Sequence, residues 1–304
     1  MILESLRNSS KTLLEAQQAK LKTHPLLTLL YVILIFIVGS IIMAIPYFII
    51  MLLSGGISFE DGLKLNSSNN FWIQNLLLIV IIFSYIGYCK WIEGRSIRSL
   101  GFSRKGITRQ YIQGAVLGFG MISISLGLCF ATGAMEYQGI SESISWGIIF
   151  LFLLGFMVQG MSEEVMLRSY TMVSLSNRMH IVWAILISSI LFGLLHCFNN
   201  SFSWVAMLNL VLYGIFASLY FLSTDNIWAV GAQHSIWNWA QGNVYGINVS
   251  GIEVNDTISR FTPVEGKDFI SGGGFGLEGG IAVTIVLVFG IIYLLYNIKN
   301  KSVA

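Results

Sequence analysis

Residues 146–160 read WGIIFLFLLGFMVQG, and residues 161–170 continue MSEEVMLRSY. An apolar run of nearly membrane length thus passes directly into two adjacent carboxylates and an arginine. A membrane-crossing helix needs about 20 mostly apolar residues, and an ionisable group inside it costs a few kcal/mol, so such groups face a bundle interior and have a function. The rest of the chain sets the same context. Of its 304 residues, 55% are hydrophobic and 11% charged, well below the ~25% charge of a soluble domain. That surface cannot face water all round. The composition predicts an all-α polytopic membrane protein of about eight transmembrane helices, with the site in the bundle interior.

The predicted spans are 26–53, 71–90, 111–133, 145–167, 180–198, 203–222, 226–243 and 279–298. Pro46 lies inside the first, which predicts a kink or break there. The seventh is the least apolar and carries Gln233, His234, Asn238 and Gln241, so it is expected among other helices or against a wet cavity. Of the 17 Lys and Arg residues, only Lys64, Arg260 and Lys267 fall outside if the N-terminus is inside. The positive-inside rule then puts both termini in the cytoplasm of a multi-pass plasma-membrane protein.

Four regions follow: a cytoplasmic amphipathic segment over 1–25, N-terminal transmembrane helices over 26–140, a core over 141–245, and a Gly-rich extracytoplasmic loop with the last helix over 246–304. Leu3, Leu6, Leu13, Leu14 and Leu21 among Lys and Gln fit an interfacial helix or a frayed tail. The first 25 residues do not read as a cleavable signal, and the chain bears no lipidation motif of its own. The basic loop 92–110 is placed to touch anionic lipid, and loop 244–278 is expected to be flexible. Cys89, Cys129 and Cys197 lie in or beside apolar segments without metal or redox spacing, as small packing residues do. A net charge of +2 with no basic tract argues against nucleic acid as a partner.

Three polar sets stand out. Glu164 and Arg168 are four apart on one helical face and can pair, whereas Glu163 lies about 100° round the helix and points elsewhere. Phe192 and His196 are one turn apart near the end of the fifth span, and His234 and Asn238 are one turn apart in the seventh. Each set has a plain structural reading: solvated carboxylates at a helix end, a histidine in an interhelical hydrogen bond, and polar glue between helices. Together they are the parts of a hydrolytic site, with a carboxylate and histidine to activate water and an imidazole and amide to stabilise an oxyanion. Depth is the difficulty. Residues 161–170 fall at the inner end of the fourth span and His196 at the outer end of the fifth. One shared site requires the fourth helix to continue inward and the fifth to begin later.

EEVMLR, FGLLH and HSIWN, in that order on successive segments, resemble the EExxxR, FxxxH and HxxxN motifs of the CPBP (CAAX protease and bacteriocin-processing, or Abi) intramembrane proteases, which include the Rce1-type prenyl-protein endopeptidases. The similarity covers residues 140–245, and GGGFGLEGG before the last span also looks like members of the family. The resemblance implies that Glu163 is the general base, His196 holds the same water, His234 and Asn238 form the oxyanion site, Glu164 and Arg168 support it, and Phe192 packs beneath. It implies a peptide or lipidated protein substrate: a CAAX-type protein, or a peptide or bacteriocin precursor. A metal-free glutamate mechanism is favoured over zinc held by Glu163, His196 and His234. A non-proteolytic immunity or scaffold protein is the alternative. A small transporter is weaker, since no internal repeat is visible.

Overall fold

The computed structural model describes residues 2–53 and 71–303; Lys64, one of the three predicted outer cations, lies outside the described residues. Two short helices, α1 (Ile2–Ser9) and α2 (Lys11–Ala16), precede α3 (Pro25–Leu53), α4 (Phe71–Ile92), α5 (Ile107–Ala131), α6 (Trp146–Ser176), α7 (Ile181–Leu195), α8 (Trp204–Thr224), α9 (Ile227–Trp239) and α10 (Ile281–Val303). Six of these, α3, α4, α5, α6, α8 and α10, hold segments long and apolar enough to cross a membrane. The protein is therefore a polytopic helical membrane protein. α7 has 15 residues, about 22 Å of helix against a hydrocarbon core of about 30 Å, and α9 has 13 residues continued by a π-helical stretch over Ala240–Val244. α3 runs through Pro46 without a break; proline is tolerated in membrane helices, where neighbouring helices and local backbone adjustment re-satisfy the freed carbonyl.

The connections between these helices sort into two groups. At one end, Lys20 and Leu21 donate backbone N–H groups to the Glu93 carbonyl, Asn177 Nδ2 donates to the Ala16 carbonyl, and Asp225 caps α2 by accepting from Ser10 Oγ and the Lys11 and Thr12 N–H groups. The N-terminal segment is thus a docked pair of helices, with Leu13 and Ala16 buried. At the other end, β1 (Met135–Ile140) pairs antiparallel with β2 (Ser259–Pro263), with a register shift between Tyr137 and Gly139. This small sheet departs from the all-α expectation. The Gly-rich stretch around it folds back as a cap: Gly251 N–H bonds the Phe275 carbonyl, and Ile258 N–H bonds the Asn243 carbonyl.

α9 lies at the centre, between α5 and α6. Its polar residues Gln233, His234 and Asn238, and Gln241 in the π-helical stretch that continues it, are all buried, as expected of a helix surrounded by others. Close approach needs small residues. A Cβ at Gly114 or Gly118 of α5 would overlap the Ala229 or Gln233 carbonyl, and one at Gly160 of α6 would sit 2.7 Å from the Ser235 nitrogen. The Gly114–Gly118 spacing is the small-xxx-small pattern by which membrane helices bring their backbones together.

The difficulty of depth resolves in α6. It does not stop at residue 167; it continues as a π-helical stretch over Val165–Met172 and a last α turn to Ser176. A π segment loosens backbone pairing and often marks a functional region. Here Ser188 Oγ takes the Leu167 carbonyl and Arg95 the Ser169 carbonyl. From Glu163 to Ser176 is about 20 Å of helix, and from Ile181 back to His196 about 22 Å, so the two side chains reach similar depth. α7 begins at Ile181, close to where the sequence places it, so the extension of α6 alone suffices.

Candidate active site

Glu163 and Glu164 divide as the helical angle predicts. Glu164 and Arg168 are completely buried, with Arg168 Nε 3.2 Å from Glu164 Oε2. That approach is an ion pair by distance but not an aligned hydrogen bond, and Arg168 Nη1 and Nη2 find no acceptor among the described residues. The guanidinium instead lies over the rings of Phe192 and Tyr213, at 5.0 and 5.8 Å from their centroids, a favourable use of a buried cation. Glu164 has a second partner that the sequence does not disclose: its Oε1 is 2.8 Å from His234 Nδ1. An ionised carboxylate only accepts, so Nδ1 is the donor, and Nε2 is left facing Glu163 Oε2 at 3.7 Å.

Glu163 turns into a cavity of about 270 Å3, which His196, His234 and Asn238 also line. Its Oε1 accepts from Gln159 Nε2 at 2.6 Å, while Oε2 is buried without a hydrogen-bond partner among the described residues. His196 follows the last residue of α7, and its Nδ1 is 2.9 Å from the Phe192 carbonyl. A carbonyl also only accepts, so the tautomer is again fixed with Nε2 as the free nitrogen. Phe192 packs against both imidazoles, with ring centroids 4.7 Å from His196 and 6.0 Å from His234. Asn238 Nδ2 donates to Gln159 Oε1 at 2.9 Å, so one glutamine joins the acid and the amide.

All seven residues singled out in the sequence thus meet at one place: Glu163, His196, His234 and Asn238 on the cavity wall, with Phe192 beside the imidazoles, and Glu164 and Arg168 behind it. Glu163, His196 and His234, the donors a zinc ion would use, do not converge as a metal-holding group among the described residues, and no step below is routed through a metal. Three neighbours were not legible as site residues. Gln159 is four residues before Glu163 and so on its face. Tyr213 packs on His234 at 5.0 Å and donates its hydroxyl to Gln233 Oε1. Glu278 also lines the cavity; its signal in sequence is a lone charge in the 30 residues between Asp268 and Lys299.

A buried Glu/His network thus lies at a cavity among apolar helices, an arrangement consistent with a catalytic site. Residues 145–240 match the family model Rce1-like, described as type II CAAX prenyl endopeptidase Rce1-like. The chain therefore carries an Rce1-like CAAX protease domain over roughly a third of its length. No curated protein and no solved structure matches it.

Proposed function

We propose that the protein is an intramembrane endopeptidase that hydrolyses a peptide bond in a membrane-associated peptide or lipidated protein, with Glu163 as the base on water. The observation that carries this reading is the Oε2 of Glu163, which accepts no hydrogen bond among the described residues, in a cavity shared with two histidines whose Nδ1 atoms are both engaged elsewhere. Glu163 takes a proton from water as the oxygen adds to the peptide carbonyl, while His196 Nε2 accepts the water's other hydrogen as a hydrogen bond and fixes its aim. The tetrahedral oxyanion accepts from Asn238 Nδ2 and from His234 Nε2. Donation from Nε2 requires the imidazolium, because Nδ1–H already serves Glu164. The protonated Glu163 then gives its proton to the amide nitrogen, the C–N bond breaks, and a carboxylic acid and an amine leave. Glu164 and Arg168 hold His234 from behind and touch neither substrate nor water.

Asn238→Ala removes one of two oxyanion donors. Cleavage is expected to fall by about 10²–10³-fold and remain measurable, read as the rate on a membrane-embedded peptide. Activity in the same assay is expected to persist with strong chelators present; loss on chelation and recovery with zinc would replace this mechanism by one with a metal.

The reading also needs a side. The end of the bundle that gathers residues 16–22, 93–95, 177–178 and 225 is proposed to be cytoplasmic, on the lysine and arginine asymmetry. A reporter fused after Ala304 is expected to be active only in the cytoplasm; activity on the outer face would invert the orientation.

A further inference from the structure

Glu278 belongs to none of the three motifs, yet the fold is built to hold it. It sits in the turn Leu277–Gly279 just ahead of α10 and is 8% exposed. Both of its anchoring hydrogen bonds go to the same oxygen: Oε2 accepts from the Ser250 N–H at 2.8 Å and from Gln241 Nε2 at 3.0 Å. Its backbone is clamped by Asn209, whose Nδ2 donates to the Glu278 and Gly280 carbonyls, each at 2.8 Å, and whose Oδ1 accepts from Thr284 Oγ1. The approach to the turn leaves no room for side chains. Gly276 has φ +97°, and a Cβ there would overlap the Asn248 carbonyl.

The second oxygen, Oε1, has no hydrogen-bond partner among the described residues, although the carboxylate lines the cavity beside His196, Asn199 and Ser250. Nor does Glu278 form an ion pair there. Burial pushes its carboxyl above the usual range, against the lowering effect of the Ser250 N–H, the Gln241 amide and the nearby imidazoles of His196 and His234. Glu164 is neutralised by Arg168, so the cavity presents two carboxylates without a lysine or arginine partner among the described residues, Glu163 and Glu278, with His196 and His234 the nearest ionisable bases. The remaining wall is largely aromatic and aliphatic, including Phe36, Phe156, Phe192 and Trp237. A lysine or arginine matches such a surface, with an apolar stem for the rings and a charged head for the carboxylate.

We propose that Glu278 is a specificity residue: its cavity-facing oxygen seats the cationic side chain of a lysine or arginine near the bond to be cut. This rests on the proteolytic reading for its meaning, but its test does not depend on turnover. In Glu278→Gln the amide oxygen can still accept from Ser250 and Gln241, so the anchor is kept and an acceptor facing the cavity becomes a donor. The probes are two fluorescent apolar decapeptides, identical except for a central lysine in one and norleucine in the other. Binding is measured to purified full-length Glu163→Gln protein, which prevents cleavage and leaves Glu278 as the one carboxylate of the cavity wall without a lysine or arginine partner among the described residues.

The lysine peptide is expected to bind about 10- to 100-fold tighter, as for a hydrogen bond to a charged group, and the preference is expected to vanish in Glu163→Gln/Glu278→Gln. Equal binding of the two peptides to Glu163→Gln protein overturns the proposal whether or not the double variant folds. So does failure of either peptide to bind, or a preference that survives in a folded double variant. The wild-type protein with the same lysine peptide separates the two claims. Cleavage without lysine preference removes only this inference; preference without cleavage removes the proteolytic reading and leaves the cation site.

Discussion

Replacing either Glu163 by Gln or His196 by Ala is expected to lower peptide cleavage by about 10²–10⁴-fold, the usual contribution of positioned acid–base groups, while the protein still folds and inserts. On the proposed mechanism the two act on one water, so Glu163→Gln/His196→Ala is expected to be hardly slower than either single variant. Groups that work as a unit are strongly non-additive in this way. The structure supports survival of the fold. Glu163 is 20% exposed at its side chain and forms no ion pair with lysine or arginine among the described residues, and glutamine retains an oxygen for Gln159. His196 lies at the end of α7 rather than inside it. Single-turnover rates of the three variants on one peptide provide the check. Losses that multiply would show that the two residues act in separate steps.

Arg168→Ala and Glu164→Gln are expected to fail differently, through stability. Arg168 is among the largest completely buried side chains, and it is closed in by Glu164, Phe192 and Tyr213. Removing it leaves a buried carboxylate with only His234 as partner and a void between two aromatic rings. Breaking a buried pair from one side costs about 3–5 kcal/mol, a large part of the 5–15 kcal/mol that holds a typical domain folded. Glu164→Gln strands the guanidinium and unfixes the His234 tautomer, so it is expected to lose activity along with stability. Membrane levels and thermal unfolding in detergent, compared with Glu163→Gln, distinguish the two groups. Equal levels and unfolding temperatures for all three variants would remove the supporting role of the pair.

Much of this site was legible because charge is so costly in a membrane helix that each polar residue asks for an explanation. Glu163, Glu164 and Arg168 could be separated by helical angle alone, and the crowding of α9 followed from the four polar side chains of its predicted span. What was not legible lies in three-dimensional packing. The depth of Glu163 depends on a π segment in α6, and residues 165–172 carry no obvious local pattern for one. The bond from His234 to Glu164 joins positions 70 apart. Glu136 and its neighbours form a strand only because residues 259–263 return to pair with them; alone, the stretch is polar and contains a glycine. α7 is apolar enough to pass for a span by composition, but it runs only from its cap at His180 to Leu195; α9 starts at its cap Asn226 and continues as a π-helical stretch over Ala240–Val244, and its buried polar residues keep it from the hydropathy of a span.

The central claim is that one carboxylate, Glu163, activates water to cut a peptide bond. The most direct measurement compares the peptides of membranes containing wild-type protein with those containing Glu163→Gln protein at matched levels, by mass spectrometry. The account predicts at least one cleavage product present with the wild type and absent with the variant, its new carboxyl terminus carrying 18O when the membranes are incubated in labelled water. Identical peptides from the two membranes, or a product formed equally by Glu163→Gln, would contradict it.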